Sequence, residues 1–152
     1  MVTLRAVTTD DLPFFFAYQL DEQAVEMTGF PPRNKDSFDA HWSKILADEN
    51  IFIQTVLYEG QVAGSILSFV IQGEREVGYW LGREFWGKGI ASEALRQFLF
   101  QVTQRPLFGR VAQKNPASKR VLEKCGFHVI GEDKWTPPTG SEEVLEFVLR
   151  LE

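Results

Sequence analysis

The feature that most constrains this chain is a glycine loop that joins a strand pattern to a helix pattern. An extended run, Glu76 to Leu81, leads into a loop that contains Gly87-Lys88-Gly89. After the loop, apolar residues recur at the spacing of one helix face: Ile90, Ala91, Ala94, Leu95, Phe98, Leu99 and Val102. A short strand is expected next, at Leu107 to Ala112. This strand–helix–strand order predicts parallel neighbours within a mixed α/β layer.

The same loop has the local chemistry of an anion site. Glycine allows backbone N–H groups to turn toward a common point, and a helix start adds unpaired N–H groups and the positive end of its dipole. Lys88 and the hydroxyl of Ser92 can add to such a pocket for a phosphate or pyrophosphate. The alternative is that the glycines serve the turn alone. Ser92 also stands where Gly-x-Gly-x-x-Gly needs its third glycine, and the loop lacks a Walker A ending, which disfavours the common nucleotide folds.

A second informative stretch begins at Asn115-Pro116. Asn is a good N-cap and Pro suits the first helical position, so a helix is expected to start here and to stop after Cys125, at Gly126. Asn115 and Ser118 share one face of the first turn, where their side chains can meet a ligand on the adjacent strands. The alternative is that Asn115 only caps the helix and Ser118 only occupies its first turn.

The remaining elements follow from the period of the apolar residues. Further strands are predicted over residues 2–7, 51–58, 61–71, 127–130 and 144–149. Further helices are predicted over residues 12–18 and 35–47. The chain is therefore expected to form a mixed α/β (α+β) fold in the order β-α-α-β-β-β-α-β-α-β-β.

Composition sets the outer limits on domain count, partners and location. The 152 residues, 44% of them apolar, suit one domain over residues 1–152. A net charge of -5 argues against nucleic acid as a main partner, although a local basic pocket remains possible. One cysteine and two histidines give poor support for a disulfide or a metal site. Neither a signal peptide nor a membrane-spanning run is apparent, so we expect a cytoplasmic protein without a membrane partner.

The glycine loop and the Asn-Pro stretch, about 25 residues apart, together resemble the GNAT superfamily of acetyltransferases. The acetyl-CoA signature of that family is Arg/Gln-x-x-Gly-x-Gly/Ala, and here it is Trp86-Gly87-Lys88-Gly89-Ile90-Ala91. Trp86 departs from the first position, as it often does in the RimJ/RimL-like branch. The second family motif matches Asn115-Pro116-Ala117-Ser118 leading to Glu123-Lys124-Cys125-Gly126-Phe127.

The resemblance implies the GNAT acyl-CoA N-acyltransferase fold, with helices on both faces of a sheet that splays between its fourth and fifth strands. It also implies acetyl-CoA as co-substrate, with pantetheine bonded to the backbone around Trp80 and Leu81 and touched by Asn115. The pyrophosphate would lie on the loop and helix start formed by Gly87, Lys88, Gly89, Ile90, Ala91 and Ser92. Trp86 belongs to the same cofactor-binding set, with packing under the glycine loop as its expected role. No metal is implied.

The implied reaction is direct attack of a neutral amine on the thioester in a ternary complex, with a backbone N–H near Leu81 polarising the carbonyl. Many family members use a Tyr to protonate the thiol, but Leu122 stands at that position here. Ser118 is the candidate that the RimJ/RimL-like branch suggests instead. Glu76 is the candidate general base and Glu74 a weaker one. The alternatives are that each is a solvated strand carboxylate, or that a water chain removes the proton.

The acceptor is not named by the sequence. The resemblance implies a primary amine, which includes a protein N-terminal α-amine, a polyamine, an amino acid or an antibiotic amine. The loop from Gly29 to Arg33 is the expected wall of the acceptor site. A homodimer is common in this branch. Two other functions stay open: a CoA-binding sensor that has lost catalysis, and a binding domain whose glycine loop is purely structural.

Overall fold

In the computed structural model, which describes residues 1–137 and 143–152, one seven-stranded sheet forms the centre of the molecule. Its strands are β1 (Val2–Ala6), β2 (Phe52–Tyr58), β3 (Gln61–Ile71), β4 (Glu74–Leu81), β5 (Leu107–Ala112), β6 (His128–Trp135) and β7 (Val144–Leu151). Their spatial order is β1-β2-β3-β4-β5-β7-β6, and the β4–β5 pair is parallel whereas the other pairs are antiparallel. The mixed α/β fold and the parallel neighbours predicted after Leu81 are confirmed.

Five helices accompany the described strands: α1 (Leu12–Gln19), α2 (Glu22–Thr28), α3 (Lys35–Ala47), α4 (Ile90–Gln101) and α5 (Pro116–Lys124). Helix α2 was not predicted as a separate helix. The side chain of Asp21 caps its start by accepting from the amides of Gln23 and Ala24, and Gly29 ends it with φ of 79°. Because Ala24 is its only buried residue, α2 carries almost no apolar period from which it could have been predicted.

Helices cover both faces of the sheet, as predicted. The larger core lies between the sheet and helices α4 and α5, and its most deeply buried side chains are Val56, Ile66, Leu95, Phe98, Leu107 and Leu149. A smaller cluster on the other face joins Phe15 of α1 to Phe38 and Trp42 of α3. None of the described helices is long and apolar enough to cross a membrane.

The sheet opens at its parallel pair. Within the described residues, β4 and β5 are in register only where Glu76 lies opposite Phe108. From there β4 continues to Leu81 and β5 continues to Ala112 without further pairing between them in the described part of the chain. The predicted splay between the fourth and fifth strands is therefore confirmed, and it leaves a cleft beside the end of β4.

An ion pair between the half-buried Arg5 and the buried Asp11 fixes the turn that follows β1 against the sheet. Asp11 is 2% exposed and receives two hydrogen bonds from the Arg5 guanidinium, at 2.7 and 2.8 Å. It also accepts from the Thr55 hydroxyl at 2.6 Å and from the Thr8 amide at 2.9 Å. Burial alone would raise the pKa of Asp11, but these donors outweigh it and lower the pKa to about 2.

Candidate active site

The glycine loop has the geometry that an anion site needs. Gly87 and Gly89 have φ of 74° and 77°, a left-handed conformation that other residues adopt only at a cost. A Cβ built on either glycine would meet no atom within 4 Å. The glycines therefore serve the backbone conformation rather than close packing, and the space above them is open.

Helix α4, like α1, begins without a side-chain cap. Side chains of Asp21, Asn34 and Asn115 accept hydrogen bonds from the first amides of α2, α3 and α5. Helix α4 begins on Gly89, which has no side chain for this purpose. Geometry leaves the first amides of any helix without an intrahelical acceptor, so those of residues 90–92 are the donors that a pyrophosphate would meet here.

The residues of the predicted phosphate site divide into exposed and anchored groups. Gly87, Lys88 and Gly89 are exposed, whereas the Ile90 side chain is 1% exposed within the main core. Ile90 and the partly buried Ala91 thus bring backbone amides to the site, and their side chains hold the helix start against the sheet.

Trp86 and Cys125 act as packing residues around this loop. The Trp86 ring packs against the main core, and its indole N–H donates to the Leu81 carbonyl at 3.0 Å, which ties the loop to the end of β4. The Cys125 thiol lies 3.7 Å from the Ser92 carbonyl oxygen, and burial raises its pKa. A thiol with a raised pKa is a poor nucleophile.

The main chain of β4 presents alternate residues to the cleft. The Gly82 amide donates to the Ala63 carbonyl across the β3–β4 ladder, at 2.9 Å. In an antiparallel ladder every second residue has this orientation, so the main-chain groups of Trp80 also face β3. Those of Tyr79 and Leu81 face the opposite way, toward the cleft. Of the two residues predicted for the backbone site, Leu81 therefore faces the cleft, whereas the prediction for Trp80 is wrong because its main-chain groups bond to β3. Tyr79, which was not predicted, takes its place on the cleft side.

The start of α5 lies across the cleft from β4. The Asn115 side chain caps α5 by accepting from the Ser118 amide at 3.3 Å. The Ser118 hydroxyl is 2.6 Å from the phenol oxygen of Tyr79, so a hydrogen bond joins α5 to β4. Burial raises the pKa of Tyr79 to about 12, although the bond with Ser118 acts in the opposite direction. Because the two residues are 39 positions apart, no local sequence pattern indicates this contact.

Glu76 lies on the other face of β4. Its side chain is buried, which shows that the alternative of a solvated strand carboxylate is wrong for this residue, whereas Glu74 is exposed. Arg110 donates to Glu76 at 3.2 Å and also contacts Asp133 at 2.8 Å and Glu146 at 3.8 Å. Burial raises the pKa of Glu76, and the guanidinium of Arg110 opposes that shift.

Trp80 shares the face of Glu76 and fastens α1 to the sheet. Its indole N–H donates to the carbonyl of Tyr18 at 3.2 Å. On the same side, the ring of Phe30, in the loop predicted as an acceptor wall, lies 5.0 Å from that of Trp135. Among the described residues no group of His, Cys, Asp or Glu side chains is placed to hold a metal ion.

Comparisons with known proteins agree with this geometry. The sequence model of the acetyltransferase (GNAT) domain matches residues 1–128. In Bacillus subtilis, YdaF, named as a ribosomal N-acetyltransferase, is 36% identical over 93 residues, which cover 57% of this chain and 51% of YdaF. YjcK of the same organism, named as an N-acetyltransferase, is 29% identical over 118 residues, 75% of this chain and 62% of YjcK. These matches span about half to three fifths of the relatives' lengths.

Solved structures share the fold at low sequence identity. Spermidine N-acetyltransferase from Vibrio cholerae, in complex with CoA and spermine, superposes with a TM-score of 0.82 at 19% identity and covers 97% of this chain and 94% of that one. Aminoglycoside acetyltransferase AAC(6')-Ib, in complex with CoA, gives a TM-score of 0.77 at 21% identity with the same coverage. With the family match over residues 1–128, the splayed sheet and the glycine loop, the chain belongs to the GNAT family of acetyltransferases.

Proposed function

We propose that this protein is a single-domain N-acetyltransferase that moves the acetyl group of acetyl-CoA to a primary amine. One observation carries the proposal. The parallel strands β4 and β5 separate beside a helix that begins on an exposed, left-handed glycine, Gly89, with open space above it. An uncapped helix start suits a pyrophosphate, and a cleft lined by main-chain groups suits the amide-containing pantetheine arm.

The residues present fit this cofactor. The amides of residues 90–92 would receive the pyrophosphate, with Lys88 contributing positive charge. The main-chain groups of Tyr79 and the N–H of Leu81 would bind pantetheine in place of a neighbouring strand, since the Leu81 carbonyl already accepts from Trp86. Because the Asn115 oxygen is engaged by the Ser118 amide, its nitrogen is the group available to donate to the arm. When bound, acetyl-CoA supplies a thioester carbonyl that an amine can attack directly.

The chain's own side chains then have two tasks, which are removing a proton from the amine and stabilising the leaving sulfur. Glu76 is our candidate for the first task, because burial shifts its pKa upward, toward the range of a general base. Ser118 is our candidate for the second, as a hydrogen-bond donor to the sulfur. No covalent intermediate on the protein is required.

Binding of the cofactor is tested by placing a charge in the loop. We expect Gly89→Glu to abolish CoA binding measured by calorimetry, because a carboxylate would occupy the pyrophosphate position. Gly89→Ala is the matched control, since it imposes a similar backbone strain, about 1–2 kcal/mol, without the charge. It should retain most of the affinity. Unchanged affinity in folded Gly89→Glu would contradict the site.

The acceptor and the competing sensor function are tested together. Release of CoA thiol would be followed with acetyl-CoA and a panel of amines: polyamines, amino acids, an aminoglycoside and peptides with a free N-terminus. Turnover with any of them supports the enzyme and identifies the acceptor class. Tight CoA binding without turnover on the panel favours the sensor, and absence of CoA binding removes both functions.

A further inference from the structure

The hydroxyl pair formed by Tyr79 and Ser118 joins the start of α5 to β4 by a bond that belongs neither to the Asn115 cap nor to the strand ladder. Both side chains are partly buried, and their oxygens are 2.6 Å apart although the residues are 39 positions apart in sequence. We infer that Tyr79 is a positioning residue that donates its phenol hydrogen to Ser118, so that the Ser118 hydroxyl hydrogen is directed at the sulfur of the leaving thiol. This inference rests on the proposed function.

The direction of the bond follows from acidity. The phenol of a tyrosine titrates near pH 10, whereas an aliphatic hydroxyl is a far weaker acid, so the phenol is the better donor. If Tyr79 donates, the Ser118 oxygen accepts and its own hydrogen must point elsewhere. The Ser118 amide is already engaged with Asn115, so the free donor of this residue is the hydroxyl. A hydroxyl that accepts one hydrogen bond is a stronger donor in its next one.

The position of the pair indicates that the Ser118 hydroxyl hydrogen points into the cleft between β4 and β5. Tyr79 is three residues beyond Glu76, where β4 and β5 are last in register, and its main-chain groups face the opening. Ser118 lies in the first turn of α5, beside the Asn115 cap. The pair therefore spans from one wall of the cleft to the other. A thioester reaching along β4 from the glycine loop would end next to it.

Relative acidities determine whether the pair transfers a proton or only donates a hydrogen bond. The pKa of Tyr79 is about 12, and a free alkyl thiol titrates near pH 8.5. Proton transfer from the phenol to the thiolate is therefore unfavourable by more than about three orders of magnitude. The hydroxyls instead stabilise the thiolate by hydrogen bonding. The amine nitrogen forms a bond to the carbonyl carbon, and the carbon–sulfur bond breaks with its electron pair on sulfur. The amine proton leaves through the base, and the thiolate departs or is protonated from water.

The decisive measurement is the pKa of the thiol of bound CoA. It would be followed through the ultraviolet absorbance of the thiolate, with the desulfo-CoA complex as blank so that Cys125 and the tyrosines cancel. We expect the wild-type complex to lower this pKa below that of free CoA. Tyr79→Phe removes one oxygen and keeps the ring. It should raise the pKa by about half a unit to one unit, and lower kcat about 3- to 10-fold, while the Kd of CoA at pH 6.5, where the thiol is neutral, stays the same.

The double variant provides the second readout, because the effects of two residues that act through one another on the thiol pKa do not add. Ser118→Ala should raise the thiol pKa at least as much as Tyr79→Phe, and adding Tyr79→Phe to Ser118→Ala should change nothing further. If Tyr79→Phe fails to fold, Ser118→Ala alone tests the thiol pKa. Equal thiol pKa values in wild type and variants, or additive losses in kcat, would overturn the inference while leaving CoA binding intact. Failure of the wild type to bind CoA would instead overturn the proposed function.

Discussion

At the scale of single residues, the site depends on hydrogen bonds that join distant parts of the chain. The indole of Trp86 reaches the Leu81 carbonyl, and the phenol of Tyr79 reaches Ser118. Sequence spacing predicted Ser118 and the glycines because their local motifs are short and ordered. It could not predict Tyr79 as a site residue, since only folding brings β4 beside the start of α5.

Glu76 provides a prediction that depends on pH. Because its pKa is raised in the folded protein, the base form is present only above that raised pKa, and kcat should increase as the pH rises through it. We expect Glu76→Gln to lower kcat about 100-fold and to remove this limb of the pH–rate profile. Glu74→Gln is the control. It should keep the plateau value of kcat and keep the limb, moved slightly to lower pH because the Glu74 charge helps to raise the pKa of Glu76. A Glu76→Gln enzyme with the wild-type profile would show that another group, or water, takes the proton.

Ser118 provides a prediction on the balance between rate and affinity. Its hydroxyl is expected to act on the leaving sulfur, an interaction that strengthens as the bond breaks. Ser118→Ala should therefore lower kcat by about 10-fold or more while the Kd of CoA changes less than about 2-fold. Steady-state kinetics and calorimetry on the same preparation provide the comparison. Equal turnover in the variant would withdraw Ser118 from the mechanism.

At the scale of elements, helix starts are where sequence and structure agree best. Asn115-Pro116 begins α5 as predicted, and the glycine loop leads into α4 as its apolar spacing indicated. These signals are local, so a short window of sequence contains them. Helix α2 was missed because it buries only Ala24, and β6 runs to Trp135 rather than ending at Ile130 because its pairing with β7 sustains an exposed strand.

Two asparagine N-caps allow the effect of capping on stability to be measured separately from its effect on CoA binding. Asn115 and Asn34 each accept a hydrogen bond from the amide three residues later. We expect Asn115→Ala and Asn34→Ala each to lower the free energy of unfolding by about 1 kcal/mol. Only Asn115→Ala should also weaken CoA binding, because Asn34 lies on α3, away from the cleft. Urea titration and calorimetry give the two quantities, and a matching loss of CoA affinity in both variants would remove Asn115 from the site.

At the scale of the whole molecule, the ion pair between Arg5 and the buried carboxylate of Asp11 links β1 to the start of α1 and should control stability in acid. The folded protein lowers the pKa of Asp11 from 3.8 to about 2, so its contribution is present above pH 3.8 and is lost as the pH falls toward 2. At pH 7, Asp11→Asn should cost about 2 kcal/mol of unfolding free energy. That cost should shrink at pH 3. Urea unfolding of both proteins at the two pH values checks this, and a cost that does not depend on pH would contradict it.

The parting of β4 and β5 has an energetic consequence for the free protein. A sheet interrupted in its middle leaves amides and carbonyls that no neighbouring strand satisfies, and water must solvate them until an arm of peptide-like chemistry takes their place. Such an arm would act as a surrogate strand and bridge the two halves of the sheet. Resistance to heat should therefore increase with cofactor concentration, by about 2.7 kcal/mol of unfolding free energy at one hundred times Kd.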